Sequence, residues 1–100
     1  MNGKRQENRK KVIKPGQDIV ASMAKDFKLE LRSQIDKGPK ELIIDMTGVK
    51  AIDSIGLGVI ISAYNSLKKI NGKLTILNVR DDILDLFRLM RLDSLFELKQ

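Results

Sequence analysis

The sequence has no cysteine, no histidine and no tryptophan among its 100 residues, and only two prolines. Without cysteine it has no disulfide, no thiol nucleophile and no thiolate metal site. Without histidine it lacks the usual zinc ligand and the usual general base at neutral pH. These absences exclude a hydrolase triad, a zinc enzyme and a disulfide-stabilised scaffold, and we expect no bound metal or cofactor. A binding module, a regulated switch, or an enzyme built on carboxylates and lysines remains.

The sequence also lacks a long hydrophobic run. No stretch approaches the roughly 18 apolar residues of a membrane span, and the polar N-terminus has no apolar segment like that of a secretory signal. We therefore expect a cytoplasmic protein without membrane insertion. The chain is 42% hydrophobic and 32% charged, and its length suits a single compact domain.

Positive charge is concentrated at the N-terminus. The formal net charge is +6, and six of the basic side chains lie in the first 15 residues against the single acidic Glu7. We predict a basic, flexible arm at residues 1–10 and one folded domain at residues 11–100. The arm has no aromatic residue to stack on a base, so a solvated terminus is favoured over a nucleic-acid site.

The first half of the chain predicts a strand, a helix and a second strand. Residues 11–14 suit a short edge strand that ends at Pro15-Gly16. A helix is expected at 19–37, with Asp18 as its cap and Gly38-Pro39 as its stop. Apolar residues recur every four positions along it: Ile19, Met23, Phe27, Leu31 and Ile35. Residues 41–46 form an apolar run with little alternation, as in a strand covered on both faces.

The second half continues this alternation. A second helix begins near Ser54 and closes at Gly72, and residues 73–79 form a partly covered strand. A third helix, capped by Asp81 or Asp82, is expected to bury four side chains: Ile83, Leu84, Phe87 and Met90. Leu86 and Leu89 lie off that stripe; they are either covered by a neighbouring element, the commoner case, or form a patch for a partner. A short strand at 95–98 completes an α/β sandwich with a mostly parallel four-stranded sheet and helices packed against it.

One segment carries more than a folding signal: Ile52-Asp53-Ser54-Ile55-Gly56-Leu57-Gly58. Two glycines at a helix start cost about 1 kcal/mol each relative to alanine, which indicates close approach of the helix to the sheet or of another molecule to the helix. A dinucleotide loop is excluded, because Ile61 stands where its third small residue is required. Two interpretations remain compatible: Ser54 caps the helix, and Ser54 is a phosphorylation site at a helix N-terminus.

The same segment closely resembles the STAS domain of bacterial anti-sigma factor antagonists. The resemblance includes the strand at 41–46 and the segments 68–74, 83–89 and 92–96, and is most specific at Asp-Ser before Gly-Leu-Gly. It implies that Ser54 is the phosphoacceptor for an anti-sigma factor that is also a serine kinase. It further implies that the unmodified protein binds this kinase and frees a sigma factor, that the phosphorylated form does not bind, and that the chain is a regulator, not an enzyme.

Given the resemblance, the expected partner-binding residues besides Ser54 are Asp18, Asp53, Ile55, Gly56, Leu57 and Gly58. Two departures stand out. Ile55 occupies a position where many family members have serine or threonine, and Asp18 lies one position earlier than the acidic residue of the family's Gly-Glu-Leu-Asp stretch. An alternative function keeps the fold without the sigma pathway: a STAS scaffold subunit that docks on a membrane transporter or a stress-signalling complex.

Overall fold

The computed structural model describes residues 10–100. The predicted arm at 1–10 lies outside this part of the chain except for Lys10, which begins the first strand. The elements, in chain order, are β1 (Lys10–Ile13), α1 (Ala21–Ile35), β2 (Glu41–Asp45), α2 (Ser54–Lys69), β3 (Lys73–Leu77), α3 (Asp81–Leu89), a 3₁₀ turn (Leu92–Ser94) and β4 (Glu97–Leu98). None of the helices in this part of the chain has the length and apolar character that a bilayer crossing demands.

The strands form one parallel sheet in the order β1-β2-β3-β4. Each strand is joined to the next by a helical crossover, as parallel pairing requires. The register places Leu42 opposite Leu74 and Ile44 opposite Ile76. The predicted α/β fold with a four-stranded parallel sheet is confirmed.

The helices cover one face of the sheet. Leu42 and Ile44 of β2 are fully buried and belong to one apolar core with residues of all three helices. Glu41, Ile43 and Asp45, which point to the other face, are only half-buried. The prediction that this strand is covered on both faces is therefore wrong. Buried and half-buried residues alternate along β2, but the sequence does not show this alternation because the half-buried position 43 is also apolar.

Helix α1 starts later than predicted. The residue before its first turn is Val20, whose side chain makes no capping hydrogen bond. Ile19 is instead part of a short parallel bridge with Ile52. Because the backbone at Ile19 is bound to a neighbouring segment, the helix begins two residues after the predicted start, and Asp18 is not its cap. The helix buries Ala24, Phe27 and Leu31 against the core.

Helix α3 ends before Met90, which corrects a second expectation. Ile83, Leu84 and Phe87 are buried as predicted, but Met90 is 47% exposed because it follows the last helical turn. Leu86 is half-buried, whereas Leu89 is 81% exposed, so at Leu89 the structure of residues 10–100 fits the second alternative, an apolar patch, and not the commoner one.

The two glycines at the start of α2 have different surroundings. A Cβ atom built on Gly56 would lie 2.1 Å from the carbonyl oxygen of Ile19, far inside van der Waals contact. A Cβ atom built on Gly58 meets nothing within 4 Å. Gly56 therefore allows the close approach of α2 to the Ile19 backbone, while Gly58 leaves open space on the helix surface.

We expect Gly56→Ala to lower the free energy of unfolding by about 3 kcal/mol, because backbone atoms cannot move away without breaking the Ile19–Ile52 bridge. Gly58→Ala is the matched control and is expected to raise it by about 1 kcal/mol, since alanine is the better helix former and meets no clash. Urea unfolding of both variants measures these changes. Equal effects of the two substitutions would contradict this account of the contact.

Candidate functional site

The predicted site lies at the carboxyl ends of β1 and β2, where the chain enters α1 and α2. The Ile19 N–H donates to the Ala51 carbonyl at 3.0 Å, and the Asp53 N–H donates to the Ile19 carbonyl at 3.2 Å. These two bonds join the loops that precede the two helices. Because both helices follow parallel strands and start at this bridge, their N-termini lie side by side at one edge of the sheet.

The carboxylate of Asp53 connects the two helix N-termini. Its Oδ1 accepts the Gly56 N–H at 2.8 Å, which makes Asp53 the N-cap of α2. Its Oδ2 accepts the Ala21 N–H of α1, also at 2.8 Å. The Gly56 N–H and then the Ala21 N–H lower the pKa of Asp53, so the side chain stays charged at neutral pH. The prediction that Ser54 caps the helix is therefore wrong, because the preceding residue, Asp53, supplies the capping oxygen.

Ser54 is therefore the first helical residue of α2, and it is exposed. Within residues 10–100 its hydroxyl has no hydrogen-bond partner, because Asp53 satisfies the capping role. The N–H groups and the dipole of a helix N-terminus favour negative charge at this position. The hydroxyl is thus accessible to a docking protein and lies where a phosphate group is tolerated.

The other four predicted site residues at the start of α2, positions 55–58, are partly exposed and partly buried. Ile55 is 55% exposed, and Gly58 is exposed as well. Gly56 and Leu57 are buried, so both pack inside the fold, and their expected contact with a partner stays a prediction. The outer surface of this turn is formed by Ser54, Ile55 and Gly58.

Asp18 holds the loop that leads to Ser54. Its Oδ1 accepts the N–H groups of Lys50 and Ala51, at 2.8 and 3.1 Å. The side chain is half-buried. These N–H groups are 32 and 33 positions away in the chain, so the residues around Asp18 do not indicate this role. From the local sequence alone, the expected role of Asp18 is a helix cap.

A hydrogen-bonded cluster around the carboxylate of Asp45 lies at the same edge of the sheet, and the sequence did not predict it. Asp45 Oδ1 accepts hydrogen bonds from the Asn78 side-chain amide at 2.9 Å and from the Thr47 hydroxyl at 2.6 Å and backbone N–H at 3.0 Å. The Asn78 bond, followed by the two from Thr47, lowers the pKa of Asp45 to about 2. The cluster ties the end of β2 to the end of β3 and thereby fixes the start of the loop to α2. Asn78 has a positive φ of 58°, a conformation in which asparagine is enriched.

Comparison with known protein families matches the STAS domain to residues 4–100 of this chain. Among curated relatives, a Bordetella bronchiseptica protein provisionally named anti-sigma factor antagonist BtrV is 26% identical over 78% of this chain and 67% of its own length. The anti-sigma-B factor antagonist of Listeria monocytogenes is 36% identical over 58% of this chain and 51% of its own length. The match thus spans about half of the Listeria relative.

Solved structures share the fold at low sequence identity. The Bacillus cell fate determinant SpoIIAA in its phosphorylated form has a TM-score of 0.73 and 16% identity, over 93% of this chain and 85% of that one. A sulfate transporter family protein from Wolinella succinogenes has a TM-score of 0.77 and 20% identity, over 90% and 75%. At these identities the comparison establishes the shared architecture alone.

We expect Asp53→Asn to lower the free energy of unfolding at neutral pH, because the amide has one acceptor oxygen for two N–H groups and no charge. A carboxylate whose pKa is lowered by folding stabilises the protein above its ordinary pKa of 3.8, and this contribution is lost as the pH falls through the lowered value. The difference between wild type and variant therefore shrinks in acid. Urea unfolding at a series of pH values measures it.

Asp26→Asn is the control for this experiment, since Asp26 is exposed on α1 and makes no hydrogen bond among residues 10–100. A difference between Asp53→Asn and wild type that does not depend on pH would contradict the role assigned to the Asp53 carboxylate.

Proposed function

This chain belongs to the STAS domain family, and on that premise we propose that it is an anti-sigma factor antagonist controlled by phosphorylation of Ser54. The partner is an anti-sigma factor that is also a serine kinase. The unmodified protein binds it and so releases a sigma factor for transcription. The named relatives from Bordetella and Listeria support this assignment.

The observation that carries the proposal is the exposed hydroxyl of Ser54 at the N-terminus of α2. The hydroxyl is held on a rigid base: Asp53 caps the helix, and Gly56 packs on the Ile19 backbone. A kinase can therefore reach the hydroxyl without unfolding the protein. The exposed Ile55 beside it offers an apolar contact to the same partner.

Phosphorylation blocks association by charge. A partner surface that fits a neutral hydroxyl has to desolvate a group of charge about −1.5 to −2 after modification. The neighbouring carboxylate of Asp53 is already negative, so the phosphate adds like charge to the site. A penalty of about 3 to 4 kcal/mol weakens binding several hundredfold. No change of fold is required, because the added charge alone alters the surface.

The protein acts in this scheme as substrate and ligand, not as catalyst. The nucleotide, the magnesium ion and the catalytic base of phosphoryl transfer belong to the kinase partner. Asp53 is engaged with two backbone N–H groups, so its role is to orient the start of α2.

We expect the kinase partner with ATP to phosphorylate Ser54, and we expect Ser54→Ala to bind the partner like wild type while it accepts no phosphate there. Ser54→Asp is expected to weaken binding at least about a hundredfold, because it places a permanent charge at the helix start. Mass spectrometry locates the phosphate, and calorimetry measures the binding.

Ser33→Asp is the matched control, since Ser33 is exposed on α1 and the substitution adds the same charge away from the site. The control is expected to bind like wild type. Phosphate at another residue, or tight binding by Ser54→Asp, would refute the proposed switch.

A second candidate function, a scaffold subunit that docks on a transporter or a stress-signalling complex, is favoured by one observation. Three large apolar side chains are exposed at and after the end of α3: Leu89 (81%), Met90 (47%) and Leu95 (41%). If this patch is the binding surface, Leu89→Glu abolishes partner capture and Ser54→Asp does not. The antagonist function predicts the reverse, so the two variants separate the candidates.

A further inference from the structure

Helices α1 and α2 leave a shallow groove between them that runs away from the candidate site. Its α1 wall includes Lys28, Arg32 and Ile35, and its α2 wall includes Ser62 and Ser66. Its volume is ≈ 70 Å³, far below the roughly 300–1,000 Å³ of a small-molecule pocket. The groove therefore suits side chains of a docking protein, not an enclosed ligand.

The two sides of α1 carry opposite charge. Lys25, Lys28 and Arg32 follow the i, i+3, i+7 spacing of one helix stripe, and all three are exposed. The last two line the groove beside α2. Asp26 and Glu30 lie on the opposite side of α1, along the cavity next to β1. Helix α1 thus directs its basic stripe toward α2 and its acidic residues away from it.

The basic stripe is available for binding. Within residues 10–100, neither Lys25, Lys28 nor Arg32 takes part in an ion pair. The groove contains one acidic residue, Asp36, at its far end. Two cations in the groove, Lys28 and Arg32, and Lys25 one turn beyond them on the same stripe outnumber this one carboxylate, so the surface favours negative charge.

The α2 wall of the groove is continuous with the Ser54 surface. Ser54, Gly58, Ser62 and Ser66 recur every four residues along α2, and all four are exposed. Small side chains in this row allow another polypeptide to approach the helix closely, and the space above Gly58 is open. Ile55 precedes the groove residue Val59 by four positions, which places it one helical turn nearer the N-terminus of α2, and its exposed side chain offers an apolar contact there.

We propose that this groove binds an acidic segment of the anti-sigma factor, with its carboxylates at Lys25, Lys28 and Arg32 and an apolar side chain on Ile55. The inference rests on the proposed function, and it adds the chemistry of the partner. It also gives a physical reason why the partner dissociates after phosphorylation. A phosphate on Ser54 lies on the same row of α2 as Ser62 and Ser66 of the groove, so it repels a negatively charged segment that is docked along this row.

The test compares two double charge reversals. Lys28→Glu with Arg32→Glu reverses the charge of the groove, while Lys37→Glu with Lys40→Glu makes the same net change at exposed positions outside it. Each unphosphorylated variant is titrated with the kinase-type anti-sigma factor purified from the same organism, between about 50 and 300 mM NaCl. Circular dichroism and urea unfolding verify that both variants fold.

The groove variant is expected to bind at least about tenfold more weakly than wild type at low salt, with a smaller loss of affinity as salt is added. The control is expected to stay within about twofold of wild type and to keep the wild-type salt dependence.

Asp36→Lys, which adds a cation to the groove, is expected to tighten binding about threefold at low salt. A gain of affinity does not arise from misfolding.

The outcomes separate this inference from the proposed function. If wild type binds the anti-sigma factor and is phosphorylated on Ser54 but the two double variants behave alike, only the acidic-segment inference is wrong. If wild type neither binds nor is modified on Ser54, the proposed function fails and the inference with it. Weaker binding and reduced salt dependence in the groove variant alone support the inference.

Discussion

The Asp53 carboxylate determines the geometry of the candidate site, because one side chain binds the first N–H of α1 and an N–H in the first turn of α2. Two helices that follow neighbouring parallel strands on one face of a sheet start at the same edge, and their unsatisfied N–H groups there need acceptors. A carboxylate between them satisfies one from each helix. The charge is stabilised in return, as the lowered pKa of Asp53 shows.

The start of α2 divides its residues between the interior of the fold and the solvent. Gly56 and Leu57 face inward, where Gly56 contacts the Ile19 backbone. Ser54, Ile55 and Gly58 face solvent. Because the inward residues fix the turn and the outward ones do not pack, the surface can change by modification while the fold stays the same. This division suits a switch that works by charge.

The proposed switch at Ser54 and the proposed groove both depend on the charges on the surface of α1 and α2. In the proposed scheme the N-terminus of α2 tolerates a phosphate on Ser54, so modification leaves the protein folded. In the same scheme the basic side chains of Lys28 and Arg32 attract an acidic partner, which the phosphate repels. Solved structures share this architecture at 16% and 20% identity.

Periodicity and turn residues in the sequence alone determined the element order, the parallel α/β architecture and the position of Ser54 at a helix start, since each depends on residues close together in the chain. The tertiary structure decided the contacts that span the chain. Asp53 also binds the Ala21 N–H of α1, and Asp18 binds the loop at Lys50 and does not cap a helix, because these groups become neighbours only when Ile19 pairs with Ile52. Likewise, the exposure of Met90 follows from the point at which α3 ends. Local pattern specifies which groups need a partner, whereas folding decides which partner reaches them.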